Sequence, residues 1–273
     1  MKRGTLLPGL ATFVVCALVL FPIWWMLVTA VAQPDDIRAF PPVFVPTHPS
    51  FAAFHTILFD RPMLRWIMNS LIVAGLSTAL TMVLGVLGGY ALSRFSSRVV
   101  RAAGMSVLLA KMIPTTLLVI PLYVLFREYG LLATLTSAAL AHCTVTIPFA
   151  IWMLKAYFDS IPAELEEAAA IDGTTPLGAL WRIVLPVSLP GLGATALYAF
   201  ILSWNEFAFS RTLLFSEPSN WTVTIGIASI RGEYIISWNE IMAASAIVAV
   251  PIIIVFLWLE RYLVVGLTAG AQK

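Results

Sequence analysis

Residues 155–186 read KAYFDSIPAELEEAAAIDGTTPLGALWRIVLP, and they hold the densest cluster of acids in the chain. Of the 14 acidic residues, Asp159, Glu164, Glu166, Glu167 and Asp172 fall inside this stretch. Asp159 or Ser160 has the side chain to cap a helix, with Pro162 in its first turn. Glu164, Glu166 and Glu167 then stand near the positive end of that helix, where carboxylates are favoured. Gly173, just after Asp172, accepts the left-handed conformation that ends a helix. Thr175 and Pro176 open a second short helix running towards Leu185 and Pro186. The stretch is predicted to be two short helices joined by a sharp turn and lying on a membrane surface.

The membrane follows from what surrounds it. The chain has 273 residues, of which 60% are hydrophobic and 11% charged. Soluble domains carry about a quarter charged residues. That contrast excludes an ordinary soluble enzyme, a disordered chain and a secreted disulfide scaffold. Cys16 and Cys143 both sit in apolar runs, as inert thiols would. A net charge of +2 gives no footprint for nucleic acid. Six runs are free of acids and bases: 4–33, 66–93, 102–126 with Lys111 as the one interruption, 130–154, 183–205 and 241–259. A bilayer crossing takes about 20 apolar residues, so an all-α protein with six transmembrane helices is predicted. Lys2, Arg3 and the Ala30-Val31-Ala32 triplet imitate a cleaved signal, but the apolar run before the triplet is too long for one.

Orientation rests on lysine and arginine. With the N-terminus inside, the inner side holds nine of them and the outer side six. The bias is clearest in the short 93–101 loop, which has Arg94, Arg98 and Arg101 and no acid. Six spans put both termini in the cytoplasm. Two outer segments remain. Residues 34–65, with Pro34, Pro41, Pro42, Pro46 and Pro49, are predicted to be extended chain with little regular structure. In the 211–240 segment, residues 222–225 carry a weak strand or loop signal. His48 and His55 are too sparsely supported to hold a metal, and no catalytic set is present.

Within the spans, Lys111 is the costliest residue, because a charge at mid-bilayer is unfavourable by roughly 3 kcal/mol unless it is solvated or paired. It either reaches the surface or a partner, or lines a pathway. Pro114 and Pro121 loosen the same span. Gly85 and Gly89 form a small-xxx-small pair for close helix packing. His142 reads as a hydrogen-bonded structural residue. Trp204, Asn205 and Glu206 recur as a motif in residues 238–240, where interfacial anchoring is the simpler reading.

The 155–186 stretch also carries a recognisable spacing. Glu167-Ala168-Ala169, three residues, Gly173, nine residues, Ile183, one residue, then Leu185-Pro186 resembles the EAA loop of ABC importer permeases. Residues 203–207 look like the Trp-Asn-Glu segment of carbohydrate permeases. Residues 112–114 with 120–123 are similar to their third span, and residues 266–271 resemble the tail of the maltose-type subunit. The likeness covers about 67–273. It implies the type I importer transmembrane fold, with a first helix and Pro-rich periplasmic loop over 1–66. A transmembrane core over 67–273 would carry the coupling loop at 155–190 and a cytoplasmic tail.

By that resemblance, Glu164, Glu167, Ala168, Ala169, Asp172, Gly173, Ile183, Leu185 and Pro186 couple to an ATPase subunit. Lys111, Trp204, Asn205 and Glu206 become pathway candidates, since aromatic faces, amides and carboxylates suit a sugar. The implied partners are a second homologous permease, two ABC ATPase subunits, an extracytoplasmic solute-binding protein and the bilayer of a prokaryotic inner membrane. No Gly-Lys pair occurs, so a P-loop is absent and ATP and Mg belong to partner subunits. The alternatives are an ion-coupled secondary transporter, which predicts internal symmetry and mid-membrane carboxylates, and an importer for glycerol phosphate derivatives.

Overall fold

The computed structural model describes the backbone of residues 6–231 and 236–270, and the side-chain surroundings of 8–231 and 236–260. Lys2, Arg3, Ala271 and Lys273 lie outside these ranges, as do the side chains of the 266–270 tail motif. The helices are α1 (Leu6–Val31), α2 (Met63–Arg94), α3 (Arg98–Lys111), α4 (Thr115–Glu128), α5 (Leu135–Asp159), α6 (Glu164–Ile171) and α7 (Pro176–Ala179). They continue as α8 (Leu189–Trp204), α9 (Ala208–Leu214), α10 (Val223–Ile230) and α11 (Trp238–Gly270). No strand occurs among the described residues.

Four helices are long and apolar enough to cross a membrane, and six crossings result if two bent pairs each count as one. The straight third span expected at 102–126 is instead α3 and α4, bent by 103°. Pro114 disfavours helical geometry at Ile113 and precedes the first residue of α4. The fifth span is likewise bent by 82° at Ser188, between Pro186 and Pro190. Each proline removes a backbone donor from the helix ladder there.

The described residues form two compact units. One joins the chain up to Ile67 with Gly226–Val250. In it α1 leaves most of its apolar surface uncovered, as a helix facing lipid does. The Pro-rich segment is not extended throughout, as expected, but forms helical turns at Pro34–Arg38, Ala52–His55 and Thr56–Asp60. Pro34 supplies a preset φ at the start of the first turn. Ser50 N–H donates to Val31 O at 2.8 Å, and Arg61 pairs with Glu240 at 3.4 Å. Glu240 of the second Trp-Asn-Glu copy thus serves as an anchor.

The other unit, Met68–Ile225 with the chain from Pro251, is organised around α5. Alanines and small polar residues dominate the buried face of α5, from Ser137 and Ala138 to Ala150. That smallness lets α2 and α5 approach closely. A Cβ on Gly85 would lie 2.9 Å from the Ala150 Cβ, and one on Gly89 would lie 3.0 Å from the Leu154 Cβ. Between the two helices, Thr81 and Thr146 share a hydrogen bond of 2.6 Å, and Ser77 lies 3.7 Å from the Cys143 sulfur. In a dry environment such polar pairs must be satisfied internally.

Residues 222–225 are not a strand: Val223 begins α10, its N–H donating to Ser70 Oγ at 2.9 Å. Asn69 of α2 donates to the carbonyls of Ser219 and Trp221, both at 2.9 Å, and fixes the chain just before α10. These long-range donors and acceptors override the local β propensity.

The close α2–α5 approach predicts that Gly85→Leu overpacks the contact by about 2 kcal/mol and lowers the thermal unfolding midpoint by roughly 5 °C. Gly9→Leu serves as the control, because nothing lies within 4 Å of a Cβ there. An unchanged midpoint for Gly85→Leu would show that the contact is loose.

Candidate functional site

Helix α6 has two faces set by its 3.6-residue period. Glu164, Glu167, Ala168 and Ile171 are spaced i, i+3, i+4 and i+7 and all point outward. Ile171 is 88% exposed. Glu166 and Ala169, three apart, turn the other way and are half-buried. The expected cap at Asp159 or Ser160 does not form. Helix α5 runs through to Asp159, whose carboxylate is held by Lys155 at 2.6 Å one turn earlier, and Ser160 closes it. Ala163 precedes α6 without a side-chain cap. The three glutamates of its first turn face the helix N-terminus instead.

The end of α6 follows the sequence closely. Gly173 has φ +83°, where a side chain is strained. Its N–H donates to Ala170 O at 3.0 Å and the Thr174 N–H to Ala169 O at 3.0 Å. This pair of bonds is a Schellman motif. Thr175 then accepts the Gly178 N–H at 3.2 Å and starts α7, with Pro176 in its first turn. Ile183 and Leu185 are half-buried, whereas Pro186 is exposed. Asp172 and Gly173 form the exposed tip of the turn.

The inward face of α6 meets α2 through three residues that the motif spacing did not include, Glu166 of α6 and Tyr90 and Arg94 of α2. Glu166 Oε1 accepts from Arg94 Nε at 2.6 Å, and its Oε2 accepts from the Tyr90 hydroxyl at 2.6 Å. The two charged side chains are 15% and 13% exposed. Arg94 also donates to Ile161 O at 3.2 Å and to Ser93 Oγ at 3.0 Å, while Ser93 donates to Asp159 at 2.7 Å. Beneath this cluster Val86, Tyr90, Leu154, Phe158, Leu180 and Val184 form a shared apolar core. The ends of α2 and α5 are thereby joined to α6 and α7. Arg94 was legible only as one basic residue among three. The signal for Glu166 was its helical phase, opposite to Glu164 and Glu167.

The intramembrane candidates separate. Trp204 is 2% exposed and stacks on Phe200 with ring centroids 5.7 Å apart, so its indole is enclosed within the chain. Asn205 is exposed, and its amide donates to Ile201 O at 2.9 Å. Glu206 caps the first turn of α9, accepting the Phe209 N–H at 2.8 Å and the Ser210 N–H at 3.0 Å. It also lies 2.9 Å from His142 Nε2. His142 Nδ1 lies 2.6 Å from Ser203 Oγ, so the buried imidazole ties α5 to both α8 and α9, as the structural reading of this residue expected. Thr115, His142, Thr146, Ser203 and Glu206 line a cavity of about 180 Å³ beside this network.

Lys111 is the last residue of α3, exposed at the 103° bend. Its Nζ stands 5.1 Å from the centroid of the Phe149 ring. Phe149 in turn stacks on Tyr198 with centroids 3.9 Å apart. A cation over a ring is worth about 1 kcal/mol, against roughly 3 kcal/mol for a lysine at mid-bilayer. The ring contact alone does not offset burial in hydrocarbon.

The Arg94–Glu166 pair generates a stability prediction. Removing one partner leaves a nearly buried charge, at a cost of about 3 kcal/mol. Arg94→Met is expected to raise amide hydrogen exchange across 164–176, and Arg94→Met/Glu166→Leu to recover part of the loss. Additive losses in that cycle would mean that the two side chains are not coupled.

Comparison with known proteins gives a consistent result. Residues 81–268 match the family described as the binding-protein-dependent transport system inner membrane component. The chain is 33% identical over 276 aligned positions to the diacetylchitobiose uptake system permease protein DasC of Streptomyces coelicolor, with both chains fully covered. It is 34% identical to the trehalose/maltose transport system permease protein MalG of Thermococcus litoralis, covering 100% of this chain and 98% of that one. A crystal structure of a bacterial ABC transporter that imports the acidic polysaccharide alginate superimposes with TM-score 0.78 at 21% identity, over 96% of this chain and 98% of that chain. The fold is that of a type I ABC importer transmembrane subunit, and the chain belongs to the family of inner-membrane permease components of binding-protein-dependent transport systems.

Proposed function

We propose that the chain is one half of the membrane pathway of an ABC importer for a carbohydrate, driven by ATP hydrolysed on two partner ATPase subunits. The cargo class is carried over from the named sugars of full-length relatives that are one-third identical. A second permease subunit completes the pathway, and a solute-binding protein delivers the cargo from outside. Both termini and the 155–190 loop face the cytoplasm.

The observation that carries the coupling role is the two-sidedness of α6 and α7. One side is locked to α2 and α5 through Glu166, Arg94 and Tyr90. The other presents Leu165, Ile171, Leu177 and Trp181, all exposed, beside the carboxylates of Glu164, Glu167 and Asp172. An apolar patch rimmed by charge marks a protein–protein surface. A partner that moves this patch moves the ends of two membrane helices with it. Ala168 and Ala169 keep the approach close, and Gly173 sets the angle between α6 and α7. Ile183, Leu185 and Pro186 lead from the loop into the bend before α8. Lys111 and Asn205, which are exposed, and Glu206, which borders the small cavity, are assigned to the pathway. The enclosed Trp204 shapes it from behind.

The test is co-purification of the chain with the ATPase subunits expressed beside it, followed by ATP-driven sugar uptake in proteoliposomes. Ile171→Asp and Glu167→Ala are expected to reduce ATPase capture or uptake at least tenfold while the chain still inserts. Gly173→Trp is expected to abolish uptake, because a side chain at φ +83° distorts the turn. Wild-type assembly and uptake in all three variants would sink the docking role.

A further inference from the structure

Lys111, Phe149 and Tyr198 form a row on the second unit that the coupling role does not use. Lys111 is exposed at the α3–α4 bend, and Tyr198 is 43% exposed on α8. An ammonium and a phenol on membrane helices avoid the hydrocarbon core; they reach the interface or line water, cargo or another subunit. What is missing around Lys111 is an acid. Helix α8 has no charged residue. The single acid of α5, Asp159, is paired with Lys155 at 2.6 Å. Helix α3 has none, and α4 carries Glu128 at the end away from the bend. Among the described residues no carboxylate pairs with Lys111. The described residues supply no counter-charge to Lys111, which leaves that place open to a cargo or another subunit.

We infer that Lys111, with the Phe149–Tyr198 stack, is a subsite for an anionic carbohydrate, one bearing a carboxylate, sulfonate or phosphate. The inference rests on the carbohydrate-import reading above and narrows its substrate class. The exposed phenol ring offers an aromatic face to the C–H side of a sugar ring, and its hydroxyl both donates and accepts. The ammonium, a compact charge with three donors, meets the acidic group. The ring of Phe149 holds the lysine at the bend, so the charge is placed before the cargo arrives. A lysine with no counter-ion among the described residues favours a cargo that supplies one over a neutral sugar of equal size. The bend itself opens the helix surface where that charge sits.

The test uses the complete assembled transporter with its binding protein in proteoliposomes. Uptake is measured for digalacturonate, glucuronate and glucose 6-phosphate against maltose and trehalose. The wild type is expected to carry at least one anionic probe and to prefer it over the neutral sugars at least tenfold. Lys111→Gln is expected to lose at least tenfold of that uptake with the subunits still co-purifying, and Lys111→Arg to retain most of it. Uptake of the anionic probes unaltered by Lys111→Gln, or wild-type uptake of the neutral sugars alone, would overturn the subsite and leave the carbohydrate reading standing. Loss of assembly in Lys111→Gln would also overturn it, in favour of an ion pair with a partner subunit. Uptake of none of the five sugars by the wild type would overturn both.

Discussion

The ion pair between Arg94 and Glu166 joins the last residue of a membrane helix to a short surface helix 72 positions later in the chain. Its value lies less in net stability than in geometry. A buried pair roughly balances its desolvation cost, but one misplaced partner leaves an unmatched charge. Tyr90, Ile161 and Ser93 fill the remaining donors and acceptors, so the arrangement tolerates one orientation of α6. With that face fixed, everything else on α6 faces outward by helical period alone. The exposed acidic and apolar surface of α6 is a consequence of the pair behind it.

The same reasoning applies deeper in the chain. His142, Ser203, Glu206 and Ser210 form a closed network in which no member lacks a partner. Glu206 covers the free N–H groups of α9 and meets His142 at once. The Glu206 carboxylate is largely occupied in holding three helices together. The cavity beside it is small, and its polar wall is mostly made of these structural groups. Lys111 is the contrast, because its surroundings supply an aromatic ring and no acid.

The two bends show how a backbone constraint becomes a functional shape. Pro114 and the Pro186–Pro190 pair each take donors out of the helix ladder, and the chain turns by 103° and 82° at those points. One bend exposes Lys111. The other lies between the α6–α7 segment and α8, so that the chain there is jointed rather than a single rigid rod.

Much of this was written in the sequence by itself. Scarcity of charge determined a membrane protein, because apolar runs of this length have no stable place in water. The glycine at 173 determined a sharp turn, since few other residues accept a φ of +83°. Gly85 and Gly89 determined a close helix contact for the same steric reason. Local signals succeed there because the constraint acts within one residue or one helical turn. Tertiary structure alone decided the partner of Glu166, the angles at the prolines and the helical state of residues 222–225. It also decided which of Trp204, Asn205 and Glu206 is enclosed. Each of these depends on groups brought together across the fold, 61 positions apart for His142 and Ser203 and 153 for Val223 and Ser70. A proline announces that a helix will break, but neighbouring packing sets the direction of the break. A carboxylate announces that it needs a donor, and only the folded chain determines which donor arrives.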